Sequence, residues 1–318
     1  MRICQTRIVA DDSEEVPWEE LSLFDSEPTQ LTKRPRKRRS TRGSADPREF
    51  GEWTLDKLEI LGRYFKVYRR VAGSGTFLDA FAGEGVAAIS GSLVPSSTLI
   101  ALESGAFRRL ISIELKPELA DRLRQETAKH PKGANCTVLT GDCNLTIVGK
   151  VLPEGLIAKE RPCFAFLDPD STQLSWSTVE ALAAFKTSSG DQRSCKIELW
   201  ILFNEHQAIR RLWPRDKSNL PQHASVLDRV MGSRSSWIDL WTEGRGPQWL
   251  VRRYCDQLTD LGYTHVHMQK IVDPASGRQQ YWMIHATDHD AAVRFMKWAK
   301  RKSGFVMHNE PLPGFSEL

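Results

Sequence analysis

The chain has 318 residues, 40% of them apolar, which suffices for one large core or two small ones. Lys and Arg outnumber Asp and Glu by 44 to 40, a formal charge of +4 that argues against wholesale electrostatic binding of nucleic acid and turns attention to local charge. Six cysteines without CxxC spacing read as buried thiols of a reducing compartment, with no disulfides; no signal peptide or membrane-length apolar run is visible, so a cytoplasmic location without a membrane partner is expected.

Residues 1–50 divide into an acidic stretch ending near Glu27 and a basic one holding Lys33, Arg34, Arg36, Lys37, Arg38, Arg39 and Arg42. So few apolar residues cannot offset the entropy of ordering, and a disordered arm is expected. Its basic part, 33–42, has the chemistry to neutralise nucleic-acid phosphates, while a merely solubilising tail stays open as the alternative. From Trp53, the residues Leu58, Leu61, Tyr64, Phe65 and Tyr68 recur at helical spacing. Short apolar runs then alternate with helical patterns, which predicts strands at 76–81, 110–114, 137–140, 163–167 and 197–203. Helices are predicted at 118–129, opened by Pro117, at 177–186 with Ser175 or Ser177 as cap, and at 248–261. Beyond them, 263–272 and 279–287 flank a Pro274, Ser276, Gly277 turn and read as an antiparallel hairpin. The expected fold is a doubly wound α/β domain over 51–304, with a mostly parallel seven-stranded sheet and a C-terminal antiparallel hairpin. An irregular insertion is expected at about 214–247, and residues 305–318 form a tail. This order of elements resembles the Rossmann-like architecture of class I methyltransferases, whose sheet ends with one reversed strand.

The strongest local signal is Phe77-Leu78-Asp79-Ala80-Phe81-Ala82-Gly83-Glu84-Gly85, an apolar strand running into an acid and a glycine-rich turn. A cofactor approaches the backbone closely at such a turn, where Gly83 and Gly85 remove obstructing side chains. Phe81 and Ala82 lie in the same loop, and Asp79 can accept from the cationic amino group of a bound amino-acid moiety. The pattern fits a methyltransferase motif better than the dinucleotide fingerprint, although structural glycines of an ordinary turn remain an alternative. Glu114 ends the second strand, where a carboxylate accepts from ribose hydroxyls; its distance from Asp79 is long because 91–105 reads as inserted. Asp142 follows the third strand and can accept from an adenine amino group. Three acids at the ends of three consecutive strands would converge on one crevice.

The fourth strand ends in Asp168-Pro169-Asp170. In amino-group methyltransferases an acid or amide before proline and an aromatic orients the target amine, and Asp168 with the Pro169 carbonyl fits the first half of that pattern. No aromatic follows Asp170 and Ser171, so Trp176 is the candidate substitute. His265 and His267 share a strand face, with His285 on the partner strand and His289 beyond. They lack a neighbouring Cys or carboxylate at ligand spacing, and no metal is expected. Arg210, Arg211 and Arg215 read either as phosphate contacts or as a solvated helix end.

Taken in order, Trp53 and Lys57, the FLDAFAGEG loop, Gly91-Ser92, the Ile113-Glu114-Leu115 step, Gly141 to Asn144, FLDP, Trp176, Phe203 and Tyr281-Trp282-Met283-Ile284 resemble the three-Cys-motif partner family (TcmP) over about 53–300. The resemblance implies a methyltransferase-like protein of bacteria or phages with S-adenosylmethionine as cofactor, held through Asp79, Gly83, Gly85, Glu114 and Asp142. It also implies a three-Cys-motif, radical-SAM-like protein as partner. Two readings stand: methyl transfer to an amino group of a nucleic-acid base, or a non-catalytic, partner-dependent protein that keeps the fold. A nicotinamide-dependent enzyme fits the glycine pattern and the terminal hairpin poorly.

Overall fold

The computed structural model describes residues 49–50, 53–89, 92–188, 194–218, 220–273 and 277–302. The basic stretch 33–42 and the tail 305–318 lie outside the described residues. In chain order come β1 (Glu49–Phe50), α1 (Trp53–Ala72), β2 (Gly75–Asp79), β3 (Val86–Ile89), β4 (Ser92–Pro95), α2 (Ser97–Ser104), β5 (Phe107–Glu114), α3 (Pro117–Ala128), β6 (Cys136–Thr140), α4 (Cys143–Thr146), β7 (Cys163–Leu167) and α5 (Trp176–Ala184). They are followed by β8 (Lys186–Ser188), β9 (Ser194–Lys196), β10 (Glu198–Phe203), α6 (Arg210–Leu212), α7 (Leu220–Met231), α8 (Ile238–Thr242), α9 (Trp249–Asp260), β11 (His265–Val272), β12 (Gln279–Thr287) and α10 (Asp290–Lys302).

The main sheet has the order β11-β12-β10-β7-β2-β5-β6. β6, β5, β2, β7 and β10 run parallel, and β12 is antiparallel to both β10 and β11, so one strand is reversed within a parallel sheet. This is the doubly wound, mostly parallel seven-stranded sheet with a C-terminal antiparallel hairpin expected from the strand pattern. Every residue of β2, β7 and β10 is buried. That double-sided burial is why Phe77-Leu78, Cys163–Leu167 and Leu199–Phe203 are apolar on both faces rather than alternating.

Alternate side chains feed two cores. Phe77, Leu110, Phe164 and Trp200 point to one face, where α1, α2 and α10 supply Leu61, Phe65, Leu102 and Met296. Leu78, Ile111, Ala165 and Ile201 point to the other, covered by Val179 of α5, Leu227 of α7 and Leu258 of α9. On the first face Phe65 meets Phe77 and Phe107 edge-on at 5.1 and 4.8 Å, geometry that adds to the area these rings bury.

Four details differ from the sequence expectation. Glu49–Phe50, within the expected arm, pair in parallel with Ala88–Ile89 of β3. The segment read as inserted after the glycine loop contains part of the β3–β4 hairpin and α2. Between 214 and 247 the chain forms α7 and α8, with Ala224, Leu227, Val230 and Met231 buried on one side of α7. The strand predicted from 263 begins at His265, because Tyr263 turns inward and its hydroxyl donates to the Ile197 carbonyl at 2.8 Å. Among the described residues no helix is long and apolar enough to cross a membrane.

Candidate functional site

β2 is the switch point of the sheet: the strands β5 and β6 build out on one side of it and β7 and β10 on the other. Divergent connections leave a crevice at the carboxyl ends of such strands. A cavity of about 230 Å³ lies there, walled by the loops after β2, β5, β6 and β7 and by α1.

The glycine-rich loop forms one wall. As the chain leaves β2, the Ala80 N–H donates to the Phe166 carbonyl at 3.1 Å and the Ala82 N–H to the Ile113 carbonyl at 2.9 Å, so the loop is pinned to both neighbouring strands. Gly83 has φ +65°, and its N–H donates to Oε2 of Glu114 at 2.9 Å. Glu114 Oε1 accepts from the Lys116 N–H at 3.0 Å. Phe81, Ala82, Gly83 and Glu114 all border the crevice, as expected. A Cβ placed on Gly83 meets no atom within 4 Å, whereas one on Gly85 (φ +92°) comes within 3.0 Å of Glu126 Cβ. Gly85 therefore serves the approach of α3, and it does not border the cavity.

Asp79 corrects the sequence reading in the same way. Its carboxylate is fully buried, accepts from the hydroxyls of Ser97 and Thr98 at the start of α2, and does not border the crevice. A weaker contact of 3.4 Å comes from the Phe81 N–H. Burial raises its pKa to about 6, against the lowering effect of the two hydroxyls. With α2 closed over it, Asp79 ties the loop to that helix.

Asp142 does border the crevice and at the same time caps α4, its Oδ1 accepting from the Asn144 and Leu145 amides at 2.9 and 3.1 Å. Glu84, which the sequence reading passed over, lines the cavity and pairs with Arg122 at 2.7 Å. Ser96 also lines the cavity, and among the described residues its buried Oγ has no hydrogen-bond partner. An orphaned hydroxyl, the carboxylates of Glu114 and Asp142 and the open space over Gly83 suit a ligand with ribose hydroxyls, an amino-substituted base and an acceptor group for Ser96.

At the β7 end Asp168 borders the crevice in an ion pair with Lys57 of α1. Lys57 also borders the cavity, although no motif marked it as more than part of a pattern. Pro169 does not meet the crevice: it is buried and lines a separate small cavity with Leu174, Ile201 and Tyr254. Trp176 is also withdrawn, 4% exposed and edge-on to Tyr254 at 4.9 Å, so it supplies no stacking ring to the crevice. Asp170 stands exposed at the rim.

The histidines are distributed over other tasks. His265 faces Asp290 at 2.6 Å; His285, 1% exposed, donates to Glu198 at 2.6 Å, and Glu198 also accepts from the Tyr64 hydroxyl. Burial, chiefly, lowers the His267 pKa to about 4. His289 Nδ1 accepts from the Ala291 amide at 3.2 Å. Among the described residues no three His, Cys, Asp or Glu side chains are placed to hold a metal. Arg210 contacts buried Glu205 at 3.3 Å, while Arg211 and Arg215 are exposed.

No protein-family model matches the chain and no curated protein matches its sequence, so the resemblance to the three-Cys-motif partner family finds no support there. Solved structures give partial matches. An O-methyltransferase from Bacillus cereus in complex with SAH is 14% identical with a TM-score of 0.41, covering 71% of this chain and 80% of its own. The O-methyltransferase TomG from Streptomyces achromogenes in complex with SAM is 12% identical with a TM-score of 0.41, covering 72% and 79%. TYW2 of M. jannaschii in complex with AdoMet is 10% identical with a TM-score of 0.39, covering 75% and 76%.

Proposed function

We propose that the crevice binds S-adenosylmethionine and that the protein transfers a methyl group to an amino group, with a nucleic-acid base as acceptor. The observation that carries this reading is the meeting, in one crevice, of the Gly83 turn, Glu114 and Asp142 on one side with Asp168 on the other. Glu114 is the group to accept from the ribose hydroxyls, Asp142 Oδ2 from the adenine amine, and Ser96 Oγ to donate to a carboxylate. Bound there, the sulfonium would supply a methyl group that needs no further activation. The chain's share of the work is to hold the acceptor in line, accept its N–H at Asp168 and keep water out. The basic arm at 33–42 supports a nucleic-acid substrate through phosphate pairing.

The test is transfer of labelled methyl from S-adenosylmethionine to single-stranded RNA and DNA. Asp168→Ala should abolish the label while the variant keeps its cofactor affinity; equal labelling by the variant would sink the assignment. A second reading, a protein that keeps the fold and acts through a partner such as a three-Cys-motif protein, is favoured by one observation: Asp170 and Ser171 stand where an aromatic would close the acceptor site. Co-purification of a second protein without any methylated product would favour it.

A further inference from the structure

The acceptor end of the crevice carries a complete ion pair rather than a lone carboxylate. The Lys57 ammonium, 8% exposed, donates to Oδ2 of Asp168, which is 21% exposed. The rings of Phe166 and Tyr281 stand 5.8 and 5.7 Å from the same nitrogen, so aromatic faces enclose the cation on the sides that Asp168 leaves. Residues 111 positions apart thus meet at the one place where the proposed chemistry needs an acid.

We infer that this pair restricts the acceptor to an amine that is uncharged at neutral pH, such as the exocyclic amine of a nucleobase, and turns away protonated alkylamines of the lysine side-chain kind. The inference rests on the methyl-transfer reading above and assigns its choice of acceptor to a charge filter at Lys57 and Asp168. An alkylammonium needs a free anion to enter and must lose a proton before its nitrogen has a lone pair. Asp168 is already neutralised, and a second cation beside Lys57 meets a charge that water screens poorly at this burial. The other carboxylates of the crevice do not replace it. Glu84 is held by Arg122, Glu114 by two backbone amides and Asp142 by the amides that open α4, while Asp170 is exposed to water at the rim.

A neutral exocyclic amine meets none of these obstacles. Its N–H can be accepted by Oδ1 of Asp168, the oxygen that Lys57 does not use. Lys57 acts on the acceptor through Asp168 and is a positioning residue. In the transfer, the amine nitrogen gives its lone pair to the methyl carbon, and the C–S bond breaks with its electrons on sulfur. The proton shed by nitrogen passes by way of Asp168 to water.

The test is binding of two small probes, n-butylammonium chloride and 1-methylcytosine, to the full chain and to Lys57→Met and Lys57→Arg, followed by the amide NMR signals of Phe166 and Asp168. We expect 1-methylcytosine and not n-butylammonium to move these signals in the intact chain and in Lys57→Arg. Lys57→Met, with its carboxylate uncovered, should bind n-butylammonium at least tenfold more tightly than the intact chain does. An equal response of the intact chain and Lys57→Met to n-butylammonium would overturn the inference, as would preference of the intact chain for the cation. Asp168→Asn should remove the gain and serves as the control for a folding defect in Lys57→Met. Titration of the same samples with S-adenosylmethionine separates the two levels: failure of the intact chain to bind it removes the methyl-transfer reading, whereas the probe series decides the charge preference independently.

Discussion

The N–H of Gly83 lies 2.9 Å from Oε2 of Glu114, joining the loop after β2 to the end of β5 across the mouth of the crevice. The other oxygen of Glu114 holds the Lys116 amide, so the carboxylate is fixed before any ligand arrives and each oxygen keeps a lone pair. Glu114→Gln removes the charge and, with one acceptor oxygen in place of two, gives up one of the two backbone hydrogen bonds. Since charge-assisted hydrogen bonds contribute about 1.5–3 kcal/mol, affinity for S-adenosylmethionine should fall roughly 10- to 100-fold, read by isothermal titration.

Asp79 should behave as a structural acid with a measurable pH signature. Its folded pKa of about 6 exceeds the ordinary value of 3.8, so both forms are protonated at low pH and the residue costs nothing there. As pH rises from about 4 to 6 the unfolded chain loses its proton more readily than the folded one, and stability falls by an amount on the order of 3 kcal/mol, constant above that range. Urea unfolding at pH 4 and pH 7 should show this decline in the native chain and a smaller one in Asp79→Asn. Equal pH slopes in the two would contradict the burial argument.

The two loop glycines should separate stability from binding. Gly85→Ala places a methyl 3.0 Å from Glu126 Cβ at a left-handed φ, and a loss of about 1–3 kcal/mol in unfolding free energy is expected. Gly83→Ala meets open space, so it should cost only the backbone term of about 1–2 kcal/mol while its methyl intrudes on the crevice and weakens cofactor binding. Paired denaturation and titration measurements on both variants check the contrast.

Deep between α1 and β12, Glu198 accepts from both Tyr64 and His285. Removing the acceptor leaves two buried donors unsatisfied, so Glu198→Ala should cost about 3–5 kcal/mol, against roughly 1 kcal/mol for Tyr64→Phe, which leaves His285 as a partner. Chemical denaturation of the two variants gives the comparison, and similar losses would contradict it.

Cys163–Leu167 was legible to the residue because a central strand buried on both faces reads as an unbroken apolar run, and Gln279–Thr287 because turn residues precede it in a hairpin. Glu114, Asp142 and the Gly83 turn could be placed because strand-end acids and positive-φ glycines leave local marks in sequence. Asp79 leaves the same mark, yet its environment depends on Ser97 and Thr98 of a helix that the sequence reading did not find. Lys57 gave no chemical signal at all, since its meaning arises only when α1 folds against the end of β7. Pro214, Pro221 and Gly232 punctuate the region of α7 strongly enough to hide a helix whose inward face is plain once packed.

Calorimetric titration of the intact chain with S-adenosylmethionine, alongside Asp142→Ala, decides whether the crevice holds the cofactor. Saturable binding at one site is expected, weakened by Asp142→Ala without unfolding of the protein. No binding by the intact chain, or undiminished binding by the variant, would contradict the assignment of this crevice.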